Sequence, residues 1–194
     1  MYKKYIKRKE RIILTAIDII DELGIQGLTI RTIAQREKIT ESAIYRHFSS
    51  KKDIILAVLD KYSNFDAKIM NAIVEQEYSP IDGLFFFIKS FAEYYESYPQ
   101  ITSIIFLYGM DIGLYGEEIE KKMKQITERR RNFLSGLIQK GKENGEIASK
   151  FSTHELSLII CACIKEIILI WRKSSHEFSI KERILELVNK LLEV

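Results

Sequence analysis

The stretch TESAIYRHF, Thr40 to Phe48, sets hydroxyl, carboxylate, guanidinium and imidazole groups among apolar side chains, and Lys51 and Lys52 follow closely. These groups suit non-covalent recognition. Thr, Tyr, His and Lys donate hydrogen bonds to phosphate oxygens, while Glu, Ser and Arg can read base edges. Bond-making chemistry has no comparable candidate. The chain has no nucleophile elbow, no H-E-x-x-H pair, no Walker loop and no Rossmann glycines. Its three histidines, His47, His154 and His176, are widely spaced. An enzyme is not expected, and no metal site or cofactor is implied.

A stretch laid into a groove must be held from behind. Ala43, Ile44 and Phe48 give it an apolar face, and Thr40 caps its start. Upstream, Thr29 caps the short helix TIRTIAQRE, which buries Ile33 and Ala34. The tight turn E-K-I separates the two. Before them, Ile13, Ala16, Ile17, Ile20 and Leu23 recur at helical spacing, predicting a helix over about Lys7 to Leu23 with Gly24 as its C′ residue. Two short helices joined by a tight turn after a longer support form a helix-turn-helix. Glu41, Ser42 and Arg46 are placed to meet bases. Tyr45, His47 and Lys51 are placed to meet phosphate.

The surrounding charge fits a polyanion. Residues 1–52 carry twelve Lys/Arg against six acids, a net of +6, so the rest of a +3 chain carries −3. The basic N-terminal tail is a candidate for the minor groove or a solubility feature. Only two prolines and nine glycines interrupt 194 residues, and 46% are hydrophobic, favouring long helices and a full core. Cys161 and Cys163, two apart in an apolar run, point about 200° apart on a helix and read as core residues. The N-terminus lacks an apolar run behind its charges. The apolar run Leu156 to Trp171 is broken by Lys165 and Glu166, too short and too polar for a membrane span. A cytoplasmic protein is expected.

Downstream, Ser50 with Asp53 approximates a capping box for a fourth helix running to about Gln76. Ser79-Pro80 starts a fifth that stops at Pro99. A sixth segment is interrupted by Gly109, Gly113 and Gly116, and a long helix spans about Glu117 to Asn144. Ser152 with Glu155, and Ser179 with Glu182, open the last two. No strand alternation is visible. The expected fold is all-α, about nine helices. The expected domains are 1–52, a three-helix helix-turn-helix domain, with helix 51–76 connecting, and 53–194, a second helical domain.

The motifs LTIRTIA (28–34), ITESAIYRHF (39–48) and SKKDII (50–55) give residues 7–60 a resemblance to the DNA-binding domain of TetR (tetracycline-repressor-like) transcriptional regulators. Tyr45, Phe48 and Lys51 are its most specific part. The resemblance implies that the helix starting at Thr40 enters the major groove. It implies that Thr29, Tyr45, His47 and Lys51 grip phosphate, and that Glu41, Ser42 and Arg46 face bases. Two positions depart from the family pattern. Lys38 stands where Gly is usual in the turn, so it either takes a positive φ or the turn differs, and it can add a phosphate contact. Glu41 stands where a base is common; an acid can accept from cytosine N4.

A short recognition helix reads few base pairs, so two copies on a palindromic operator are expected. Residues 152–172 are apolar around nearly the whole circumference, implying burial on two faces, by the chain's own core and by a partner. With 179–194, which carries Ile184, Leu187, Val188 and Leu191, they are expected to build a homodimer interface. Phe87, Phe91, Tyr94 and Tyr98 share one helical face. Together with Phe106 and Trp171 they are candidates to line a pocket for an aromatic, lipid-like or otherwise hydrophobic ligand. By resemblance, the ligand moves the fourth helix and releases a repressor from DNA; repression needs only occupancy. The alternatives are a helical protein-binding adaptor, or a regulator of this family without a small ligand. The ligand, the operator and the regulated genes are not legible in the sequence.

Overall fold

The computed structural model describes residues 7–107 and 116–193, and the side chains of all of these except 105–107. Residues 1–6 of the basic tail, Tyr108 and the side chain of Phe106 therefore lie outside the described residues. The described residues form helices α1 (Arg8–Gly27), α2 (Ile30–Glu37), α3 (Glu41–Tyr45), α4 (Lys51–Glu75), α5 (Pro80–Ser97), α6 (Thr102–Leu107), α7 (Glu117–Glu143), α8 (Thr153–Lys173) and α9 (Ile180–Leu192). A 3₁₀ turn, Pro99–Ile101, precedes α6. No strand occurs among the described residues; the fold is all-α. No described helix is long and apolar enough to cross a membrane.

The chain divides into two compact units. The first comprises residues 1–64 and 100–124, the second 65–99 and 125–194. Helices α4 and α7 each contribute residues to both.

In the first unit, α1 packs on α2 and α6, and α2 on α3. Its core comes from Ile12, Ala16, Ile19 and Ile20 of α1, Ile33 of α2, Ile44, Phe48, and Ile54, Val58 and Leu59 of α4. The buried face of α1 is therefore set by Ile12, Ala16 and Ile19 as much as by Ile17 and Ile20. Leu23 is exposed instead of buried. The reason lies in the turn that follows. Gly24 adopts φ 68°, ψ 175° and breaks the helix, a conformation glycine takes without strain. Gly27 then passes so close to Leu23 that a Cβ there would lie 2.3 Å from the leucine's Cβ. Helix α6 is held to α1 by a hydrogen bond from Ser103 to Asp21 and by the buried Ile101 and Ile104.

In the second unit, α9 packs against α5 and α8. Ile180, Ile184, Val188 and Leu192 of α9 recur every four residues and are all buried. The caps anticipated from sequence form. Ser152 Oγ accepts from Glu155 N at 3.2 Å, and Glu155 accepts from Ser152 N at 2.7 Å, a full capping box. Ser79 accepts from Asp82 N with Pro80 in the first turn. Ser179 accepts from Glu182 N and donates to Glu96 of α5, so its cap is shared between helices.

Helix α8 differs from the all-round burial expected of it. Leu156, Ile160, Ile167, Ile168 and Trp171 are buried, but Leu158, Ala162 and Ile170 are exposed and Leu169 is half-buried. Lys165 and Glu166 sit on the open side. The single chain thus covers one face of α8 and leaves on the other a mainly apolar stripe that Lys165 and Glu166 cross.

Candidate functional site

The recognition region is built by three linked local structures. Thr29 Oγ1 accepts from Thr32 N at 2.9 Å and caps α2. At the other end, Lys38 adopts φ 53°, ψ 46°. Its N–H reaches the carbonyl of Gln35 at 3.3 Å, and Ile39 N reaches that of Ala34 at 3.0 Å. This is a complete Schellman motif formed around a lysine where glycine is easier, and it decides the question raised by Lys38: the lysine accepts a positive φ. Thr40 then takes extended backbone, and its Oγ1 accepts from Ala43 N at 3.3 Å. Helix α3 is short, but Phe48 N and His47 N both bond to the Ile44 carbonyl, extending the turn to the buried Phe48.

Helices α1 and α2 are fixed by two acid–base clamps. Arg36 makes a two-pronged pair with Glu22 at 2.9 and 2.6 Å, holding the Glu22 carboxyl below its usual range through that hydrogen bond. Arg11 and Thr15 both donate to Glu37, at 2.5 and 2.6 Å. Lys52 pairs with Glu118 at 2.7 Å.

These clamps separate used charge from spare charge. Arg46, His47, Tyr45 and Glu41 are exposed and their side chains have no hydrogen-bond or ion-pair partner among the described residues, and the same holds for the side chains of Arg31 and Lys38. Ser42 Oγ lies 2.8 Å from Thr40 Oγ1, and Thr29 Oγ1 lies 2.7 Å from Thr32 Oγ1. Arg46 does not pair with Glu41 or Ser42. Tyr45 is 53% exposed. Sequence reasoning missed Arg31. It lies in the first turn of α2, two residues after the cap Thr29, and its signal was an arginine at a helix start inside the basic segment. Lys51 behaves differently: its Nζ donates to the Ile25 carbonyl at 2.9 Å, and burial pulls its ammonium below the usual lysine range.

Residues 12–58 match the family model described as bacterial regulatory proteins, tetR family. The chain is a TetR-family regulator. It is 20% identical over 184 residues to the fatty acid metabolism regulator protein of Bacillus subtilis (strain 168), covering 95% of this chain and 91% of that one. Among solved structures, the MbdR regulator from Azoarcus sp. CIB superposes with a TM-score of 0.80 at 26% identity, covering 94% of this chain and 96% of that one. FadR from Bacillus subtilis in complex with stearoyl-CoA superposes with a TM-score of 0.78 at 17% identity, covering 94% and 97%. The matched segment contains the α2–α3 recognition region, so this TetR-family chain is a DNA-binding transcriptional regulator with a helix-turn-helix and an all-α remainder.

The regulator's second unit holds an aromatic row. Phe87 and Phe91 lie 4.7 Å apart between ring centres, Phe65 stacks on Tyr94 at 3.7 Å and meets Phe91 edge-on at 5.4 Å, and Tyr94 contacts Tyr98 at 5.4 Å. Phe133 joins Phe87 at 5.6 Å. Four of the expected ligand residues, Phe87, Phe91, Tyr94 and Tyr98, are thus brought together, although Tyr98 is half exposed. Trp171 is buried, and its described ring contact is with His176 at 4.0 Å. Phe106 lies outside the described side chains. The row contains a charge pair that sequence reasoning missed. Asp66 of α4 is fully buried and takes two bonds, 3.0 and 2.8 Å, from Arg130 Nη2 of α7. The Arg130 guanidinium lies 4.6 Å from the centre of the Phe91 ring. Burial raises the Asp66 carboxyl, partly offset by Arg130. Sixty-four residues separate the partners, so no spacing in the sequence announces them. No His/Cys/Asp/Glu cluster suited to a metal occurs among the described residues.

Proposed function

We propose that this regulator is a homodimeric repressor that holds a palindromic operator and is released by a hydrophobic small ligand. The observation that carries this reading is the distribution of uncommitted groups. Spare hydrogen-bond donors gather in and just after α2 and α3, at Arg31, Lys38, Tyr45, Arg46 and His47. Spare apolar surface gathers on α8, at Leu158, Ala162 and Ile170. The first suits a duplex, with Arg46 and Ser42 toward base edges and Glu41 toward cytosine N4. The second suits an identical face on a second copy, with Leu187 of α9 exposed beside it in the same unit. Two recognition helices about one helical turn of DNA apart then engage two half-sites together.

The aromatic row around Phe65, Phe91 and Tyr94 supports an acyl or aromatic ligand in the second unit. The relation to a fatty acid metabolism regulator, and the likeness to a FadR solved with stearoyl-CoA, favour an acyl thioester. Helix α4 supplies Phe65 and Asp66 to this row and continues from the recognition region, so a shift of α4 on ligand binding alters the separation of the two recognition helices. Both half-sites must be held at once, and a changed separation releases them. The test is titration of stearoyl-CoA into the protein bound to DNA selected from genomic fragments. Release by stearoyl-CoA but not by coenzyme A, and weakened response in Phe91→Ala, is expected. DNA binding indifferent to acyl-CoAs and to a panel of aromatic compounds contradicts the ligand reading.

A further inference from the structure

Lys51 stands at a position the family resemblance assigns to phosphate, yet its side chain is committed elsewhere. Lys51 Nζ donates to the Ile25 carbonyl at 2.9 Å. That carbonyl belongs to the turn that follows the break at Gly24, and it also accepts from Leu28 N at 3.3 Å. The lysine is half-buried, and burial pulls its ammonium below the usual range. A cation loses hydration on being buried and is held there by a partner that replaces water. Apart from Arg36, which is paired with Glu22, the basic residues in and just after α2 and α3 contrast with it. Arg31, Lys38 and Arg46 are exposed and unpartnered among the described residues. They are the side chains with nothing to give up when a phosphate arrives.

We infer that Lys51 is a positioning residue for DNA recognition, not a phosphate ligand through its ammonium. It ties the first residue of α4 to the turn between α1 and α2. Ser50 Oγ accepts from Asp53 N at 3.2 Å and Asp53 accepts from Ser49 N at 3.0 Å, so the link from α3 into α4 is itself held. The tie therefore sets where α3 lies relative to the Thr29 end of α2. Thr29 and Arg31 on one side, and Tyr45 and Arg46 on the other, must reach the same duplex in one register. Without the tie the Ile25 carbonyl loses a charged donor and the turn gains freedom.

The two roles give opposite salt behaviour. Each ammonium neutralising a phosphate contributes about 0.9 to the slope of log affinity against log salt. The experiment measures binding of the full-length protein to its selected operator, and to a mixed-sequence duplex of about three helical turns, across a salt series. Wild type, Lys51→Met and Arg31→Ala are compared, with thermal unfolding in parallel. Positioning predicts that Lys51→Met lowers operator affinity about tenfold, the loss expected for a hydrogen bond to a charged group, with the slope unchanged. Arg31→Ala lowers the slope. If Lys51→Met lowers the slope by about 0.9 for each bound copy, the ammonium sits on phosphate and the inference is overturned. If affinity and slope both stay as in wild type, the lysine only stabilises the fold and the inference is equally overturned. Should Lys51→Met fail to fold, Lys51→Gln gives the same reading with a polar end. The inference rests on DNA binding by α2 and α3; a wild-type protein that binds neither duplex at any salt refutes that reading first and is recognisable as such.

Discussion

The two units place their charges in opposite ways. In the first, acids clamp helices: the buried side chain of Glu37 receives Arg11 and Thr15, and the exposed Glu22 receives Arg36. Basic groups on α2 and α3 are left over at the surface. In the second, the central charge pair is buried, Asp66 with Arg130 among Phe65, Phe91 and Tyr94, and the surface left over on α8 is apolar. One unit is finished except for an anion. The other gathers its aromatic side chains inside and leaves apolar surface on the open face of α8. The contrast separates a unit with exposed, unpaired basic side chains from one with a buried charge pair and an exposed apolar stripe.

The buried pair is where this contrast breaks most severely. Removing one partner of a buried ion pair leaves the other uncompensated, so Arg130→Met should lower unfolding free energy by about 3 kcal/mol, measured by denaturant titration. Replacing both partners, Asp66→Leu with Arg130→Met, should recover most of that loss. If the double variant is no better than the single, Asp66 is not held mainly by Arg130. The open stripe of α8 comes next. Ile170→Glu should leave the fold intact but give monomers by sedimentation, with operator affinity down about a hundredfold through loss of the second half-site. A variant that remains a dimer moves the interface off α8.

Smaller effects sharpen the first unit. Thr40→Ala removes the cap of α3 and should cost about 1 kcal/mol of stability, with weaker operator binding in step. Lys38→Gly relieves a positive φ and should raise stability by about 0.5 kcal/mol. If it also weakens DNA binding and flattens its salt dependence, the side chain touches phosphate; if binding is unchanged, the lysine is only tolerated in the turn.

Much of this was legible in the sequence because it was local. Caps at Thr29, Thr40, Ser79 and Ser152 act within three residues, and each forms at the expected place. Gly24 breaks the first helix where its end was expected, and helical residues resume to Gly27. Lys38 could be read as a choice between two outcomes, which the backbone decides at φ 53°. What escaped was non-local. The Asp66–Arg130 pair joins residues 64 apart, and Lys51 reaches Ile25 across 26; neither has a periodicity. The exposure of Leu23 follows from the path of the chain past Gly24, which a helical wheel does not contain. For α8, hydrophobicity all round led to an expectation of burial on two faces, and the chain buries only one of them, leaving Leu158 and Ile170 exposed.

The central claim is that α2 and α3 read a duplex. Purified protein should be used to select from genomic DNA fragments, with Arg46→Ala and Tyr45→Phe in parallel. The account predicts enrichment of a palindromic site, relaxed or lost by Arg46→Ala and weakened by Tyr45→Phe. No enrichment by the wild-type protein even at low salt, where phosphate contacts are strongest, would contradict it and leave Thr40 to Phe48 an ordinary surface helix.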